Sequence, residues 1–89
     1  MTLRIDKVPG QRRTIVRLIG QVQSEYLEEI EAQLERVGPH PALDLEEVTL
    51  VDVEAVRFLC SCEQRGVELL HCARYIRYWM ARERPGQPE

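Results

Sequence analysis

One stretch of the sequence, "LDLEEVTLVDVEAVRFL" at positions 43–59, constrains the fold more than any other. Its first half is an apolar run with alternating leucines, which is typical of a buried strand. At Asp52, a residue type that commonly caps helices, the pattern changes to helical spacing, and Val56, Leu59 and Cys60 share one face. A strand joined so closely to a helix indicates a crossover unit, so we expect a sheet with helices packed against it.

The residues before this stretch predict a β-hairpin and a first helix. "TLRIDKV" and "TIVRLIG" alternate apolar and polar positions, and the Pro-Gly turn "PGQRR" separates them. From Ser24, which we expect to be the N-cap, apolar residues recur at helical spacing as far as Gly38 and Pro39, which end the helix.

The residues after the stretch predict one more strand and one more helix. The second helix should run to about Arg65 and stop at Gly66. The segment "VELLHC" then predicts a fourth strand, and "ARYIRYWMARER" predicts a third, amphipathic helix. Its apolar stripe contains Ile76, Trp79 and Met80.

The order ββαβαβα predicts an α/β fold with a four-stranded mixed sheet and helices packed against it. At 89 residues the chain has room for one small domain, which we place at 1–84, with a flexible C-terminal tail at 85–89.

Composition narrows the classes of function. No apolar run approaches the roughly 20 residues that span a bilayer, and the start "MTLRIDKVPG" lacks the apolar region of a secretory signal. We therefore expect no membrane insertion and a cytoplasmic location. Three cysteines are too few and too unevenly spaced for a disulfide framework, so reduced thiols are expected.

The segment "ALDLEEVTLVDVEAV" resembles the STAS domain family, which includes bacterial anti-sigma factor antagonists. In that family a strand "hhLDLssV" leads into "hhDSSGL" at a helix start. The resemblance extends over nearly the whole chain, because "VRLIGQV" is similar to the second family strand and "GVELLHC" to the strand after the signature helix. It implies a STAS-like fold and a regulatory protein that binds other proteins.

In the family, a partner kinase that also acts as an anti-sigma factor phosphorylates the first serine of DSSG. Asp52 matches the family aspartate, but Val53 stands at the serine, and Glu54 and Ala55 replace the next two residues. The resemblance therefore implies no phosphorylation at Val53, since a valine cannot accept a phosphoryl group. It also implies that a partner binds at the helix start, at Asp52, Val53, Glu54 and Arg57.

Elementary helix chemistry gives simpler roles to two of these residues. An acid in the first turn, such as Glu54, is favourable by roughly 0.3–1 kcal/mol through the helix dipole. Asp52 is most simply an N-cap, worth typically about 1 kcal/mol, and we assign it no catalytic role.

A metal or thiol site is a weaker interpretation. Cys60, Cys62, His71 and Cys72 are soft ligands, but two cysteines spaced C-x-C in a helix point to different sides. On a strand, His71 would face away from Cys72 and could not activate its thiol. We therefore predict no catalytic residues, no metal site and no cofactor.

The third helix mixes arginines with tyrosines and Trp79, a composition that could stack on bases. A sequence pI near 5.4 argues against nucleic acid as a partner.

The prediction is a non-enzymatic protein-binding module of bacterial transcription regulation, similar to an anti-sigma factor antagonist. Its partner would be an anti-sigma-type kinase, and a homodimer is a possible assembly. One alternative is a STAS-type accessory subunit of an ATPase transport system. Another is a small ligand-binding or metal-binding protein using Cys62, His71 and Cys72.

Overall fold

The structure, a computed structural model, describes residues 3–10, 13–38 and 40–83. In chain order its elements are β1 (Leu3–Pro9), β2 (Thr14–Val22), a short 3₁₀ helix (Ser24–Tyr26), α1 (Leu27–Arg36), β3 (Ala42–Val51), α2 (Val53–Gln64), β4 (Glu68–Leu70) and α3 (Arg74–Glu83). The predicted order ββαβαβα is confirmed. The predicted tail at 85–89 lies outside the described residues, so the domain limits 1–84 stay a prediction.

The four strands form one mixed sheet in the order β1-β2-β3-β4. β1 and β2 make the predicted antiparallel hairpin, while β2 pairs with β3 and β3 with β4 in parallel. Both parallel connections advance in the same direction across the sheet. Because such crossovers are right-handed, α1 and α2 lie on the same face.

A single apolar core joins that face to the helices. Leu43 and Leu45 of β3 point into it, beside Val16 and Leu18 of β2. The helices contribute the buried side chains of Ile30, Leu34, Val56, Leu59, Cys60, Cys62, Ile76 and Met80. The predicted apolar face of α2 is therefore confirmed, and alternation along β3 sends Asp44 to the opposite face of the sheet.

The first helix begins differently from the prediction. Ser24 is not the N-cap of α1: it opens the 3₁₀ helix, and α1 starts at Leu27 with no side-chain hydrogen bond at its cap, Tyr26. A contact distant in sequence also fixes this turn. The backbone N–H of Ser24 donates to Oδ2 of Asp52 at 2.9 Å, so a carboxylate from the end of β3 holds this turn.

The fourth strand is shorter than predicted. It ends at Leu70 because His71 adopts a left-handed backbone with φ of 54°, so the expectation that His71 and Cys72 alternate on a strand is wrong. β4 pairs with Ala42–Asp44 only. Within the described residues, the remainder of the ten-residue β3 has no strand beside it on that side.

The third helix confirms its predicted apolar stripe. Ile76 and Met80 are fully buried, and Trp79 packs against the core while keeping part of its surface exposed. No helix in the described part of the chain has the length and apolar character needed to cross a bilayer.

Candidate functional site

Asp52 holds the junction between β3 and α2. Its Oδ1 accepts a hydrogen bond from the backbone N–H of Ala55 at 2.9 Å, which confirms the predicted N-cap. Its Oδ2 accepts from the backbone N–H of Ser24 at 2.9 Å. Because both carboxylate oxygens are engaged by backbone donors, Asp52 fixes the position of the helix start.

The next two residues present different chemistry at this start. Val53 is the first residue of α2 and is partly buried, so an apolar side chain stands where a helix N-terminus would favour an anion. Glu54 is exposed in the first turn and supplies the negative charge that this position favours. Leu50, two residues before Asp52, is 47% exposed and adds an apolar group near the end of β3.

Arg57 lies between two carboxylates on the outer side of α2. Its Nε donates to Oε1 of Glu83 at 3.1 Å, and its Nη1 is 3.8 Å from Oε2 of Glu54. The Arg57 side chain remains 55% exposed, so water screens these pairs and each contributes little to stability. We call Glu54, Arg57 and Glu83 the α2–α3 charge cluster.

The structure brings Glu54 and Arg57 together and places Asp52 and Val53 directly beside them. It adds Glu83, which sequence reasoning missed. Glu83 is the last residue of α3, and it meets Arg57 only because α3 packs on α2. Local sequence patterns carry no signal for that contact.

A second polar cluster lies on the opposite face of the sheet from the helices. Asp44 is only 5% exposed, and its Oδ1 accepts from the backbone N–H of Glu46 at 3.0 Å. His71 Nδ1 lies 3.1 Å from the same oxygen, and Arg17 Nε lies 3.5 Å from Oδ2. Burial alone would raise the pKa of Asp44, but these partners outweigh it and hold the pKa below its usual value.

The predicted alternative ligand set of Cys62, His71 and Cys72 is not assembled. Among the described residues, the three metal-ligating side chains that meet are Asp44, Glu46 and His71. Cys62 is fully buried in the core, and burial raises the pKa of its thiol to about 11. Burial also raises the pKa of Cys72, so neither thiol is prepared to act as a nucleophile.

We expect Cys72 to react first with iodoacetamide at pH 8 in the folded protein, because it is only partly buried. Cys62 should react only as the protein unfolds, since its side chain is fully buried and burial raises the pKa of its thiol. Peptide mass spectrometry over time measures the order. In denaturant all three cysteines should react at similar rates, and equal rates for Cys62 and Cys72 in the folded protein would contradict the expectation.

Comparison with known proteins shows the fold. No family model and no curated protein matches the sequence. Among solved structures, the chain is similar to the anti-sigma factor antagonist SpoIIAA, solved in its unphosphorylated form. The TM-score is 0.64 at 15% sequence identity, and the match covers 86% of this chain and 79% of the other. The predicted STAS-like α/β fold is thereby confirmed.

Proposed function

We propose that this chain, which has the fold of the anti-sigma factor antagonist SpoIIAA, is a non-enzymatic regulatory module that binds a protein partner through the start of α2. The binding surface comprises Asp52, Val53, Glu54 and Arg57, extended by Glu83. The observation that carries the proposal is the exposed α2–α3 charge cluster. It lies beside the start of α2, which the two carboxylate oxygens of Asp52 hold in position through hydrogen bonds.

The geometry supports a binding surface at the start of α2 that is preorganised before a partner docks. Asp52 ties α2 to the 3₁₀ helix, so little ordering is needed when a partner docks on the helix start. The cluster presents one cation between two anions, and such a pattern selects a partner by charge complementarity. Leu50 offers an exposed apolar side chain that the same partner could bury.

Binding at this surface proceeds without a covalent switch at the helix start. Val53 has no hydroxyl group, so the roughly two negative charges of a phosphate cannot be added there. Glu54 supplies a permanent single charge one residue later. The strength of binding is then set by the amount of partner and by the charges of the cluster.

The partner we propose is an anti-sigma-type kinase in the cytoplasm of a bacterium, in transcription regulation. An ATPase subunit of a transport system could use the same surface. Identification of the protein that copurifies with this chain distinguishes the two candidate partners, since the kinase and the ATPase subunit have different catalytic domains.

We expect Arg57→Glu to weaken partner binding at least tenfold, or about 1.4 kcal/mol. The change replaces the cation of the cluster with a third carboxylate beside Glu54 and Glu83. The fold should survive, because exposed substitutions usually alter stability by no more than about 0.5 kcal/mol. Isothermal titration calorimetry with the copurified partner gives the affinity, and circular dichroism checks the fold.

Two control variants separate binding from folding. Arg36→Glu makes the same charge change at an exposed position on α1 and should leave the affinity within about twofold. Arg57→Glu combined with Glu83→Arg rebuilds an ion pair with reversed charges, so it should restore any lost stability while binding stays weak. If Arg57→Glu binds the partner as tightly as wild type, the proposed surface is wrong.

A further inference from the structure

The polar cluster around His71 lies apart from the proposed binding surface, where β4 leaves β3. Asp44 is opposite Leu70, the last residue of β4, and the chain then turns away at His71. Nδ1 of His71 is 3.1 Å from Oδ1 of Asp44 and 3.9 Å from Oε1 of Glu46. One ligand atom from each of the three residues lies within 4.8 Å of the others.

The two separations from His71 Nδ1 are close to those around a bound metal ion. Zinc binds nitrogen and oxygen at about 2.0–2.2 Å, so the edge of its tetrahedron measures roughly 3.3–3.6 Å. The two distances from Nδ1, 3.1 and 3.9 Å, lie on either side of that edge. The side chains of His71 and Glu46 are more than half exposed, so both can adjust by a few tenths of an ångström.

Buried and strained groups hold this arrangement in place. Asp44 is buried within β3, and the backbone N–H of Glu46 orients its Oδ1 toward His71. His71 has a φ of 54°, a left-handed conformation that residues other than glycine adopt rarely. Such outliers often mark functional positions, and this one keeps the imidazole beside the carboxylate.

The charge balance also admits a cation. Arg17 lies next to Oδ2 of Asp44, whereas His71 lies next to Oδ1. With neutral imidazole, the two carboxylates and Arg17 leave a net charge of −1 at the cluster. Arg17 therefore reduces the attraction for a cation without cancelling it.

We propose that Asp44, Glu46 and His71 bind a divalent first-row transition metal ion such as Zn²⁺. The ion takes one imidazole nitrogen and two carboxylate oxygens, a ligand type that suits zinc and its neighbours. Water fills the remaining position on the exposed side. The ion would tie β4 to β3 at the point where their pairing ends.

Titration with Zn²⁺ and Co²⁺, followed by calorimetry, tests the site. We expect one ion per chain, at least tenfold weaker binding in His71→Asn, and a similar loss in Glu46→Gln. Asparagine tolerates the left-handed backbone at this position, so His71→Asn should fold. His40→Asn, which changes the other histidine of the chain, is the matched control and should bind like wild type.

The absorption spectrum of the Co²⁺ complex identifies the ligands independently. Nitrogen and oxygen ligands give visible bands only, whereas thiolates add a strong charge-transfer band in the near ultraviolet. A thiolate band would assign the ion to the cysteines and overturn the proposal. So would equal binding by wild type and His71→Asn, or no binding at millimolar Zn²⁺.

Discussion

Trp79→Ala should lower the free energy of unfolding by about 3 kcal/mol, the lower end of the range for core aromatics. Trp79 packs against the core beside the fully buried Ile76 and Met80, and its partial exposure reduces the loss from the upper end of that range. Small domains have only about 5–15 kcal/mol in total, so the variant should melt well below wild type. Urea unfolding followed by circular dichroism measures the change.

Tyr78→Ala provides the matched control on the same helix. Tyr78 is 66% exposed, and its ring lies 5.8 Å from the guanidinium carbon of Arg82. Loss of that exposed cation–π contact should lower stability by at most about 0.5–1 kcal/mol. Equal effects of Trp79→Ala and Tyr78→Ala would show that Trp79 does not anchor α3, and would leave its ring available for a partner.

Asp52→Ala should lower the free energy of unfolding by about 2 kcal/mol, the upper end of the range for loss of an N-cap. The substitution removes the acceptor for Ala55 N–H at the start of α2 and the acceptor for Ser24 N–H at the 3₁₀ helix. Thermal and urea unfolding of the variant and wild type measure the difference. Partner binding should also weaken, because the helix start is no longer held in position.

Asp52→Asn separates the cap from the second contact. Asparagine caps helices about as well as aspartate, but it has one acceptor oxygen instead of two. It should retain the bond from Ala55 N–H and lose the one from Ser24 N–H, so the loss of unfolding free energy should be about half of the roughly 2 kcal/mol expected for Asp52→Ala. If Asp52→Ala unfolds within about 0.5 kcal/mol of wild type, the double role of Asp52 is wrong.

Local patterns were sufficient to predict the parts of the fold whose signals lie close together in sequence. Alternation identified the β1–β2 hairpin, and the change of period at Asp52 located both β3 and α2. The N-cap role of Asp52 followed from residue type and position, and its bond to Ala55 confirms it. The STAS-like fold required the resemblance as well, because periodicity alone leaves the strand order open.

The features that sequence reasoning missed depend on contacts between distant residues. Ser24 has the residue type of a cap, yet it begins a 3₁₀ helix, and its backbone N–H binds the distant carboxylate of Asp52. Glu83 joins Arg57 only through the packing of α3 on α2. His71 looked like a strand residue, and its left-handed backbone, which places it beside Asp44, breaks the strand.

Among the residues that the structure describes, the short β4 leaves the part of β3 after Asp44 without a strand on that side, and such an edge favours self-association. An unpaired strand edge can template pairing with another chain, as in amyloid formation. This part of β3 carries exposed Glu46 and Glu47, and their charges would repel the same residues of a second copy paired edge to edge. We therefore expect the two glutamates to disfavour the growth of this edge into an intermolecular sheet.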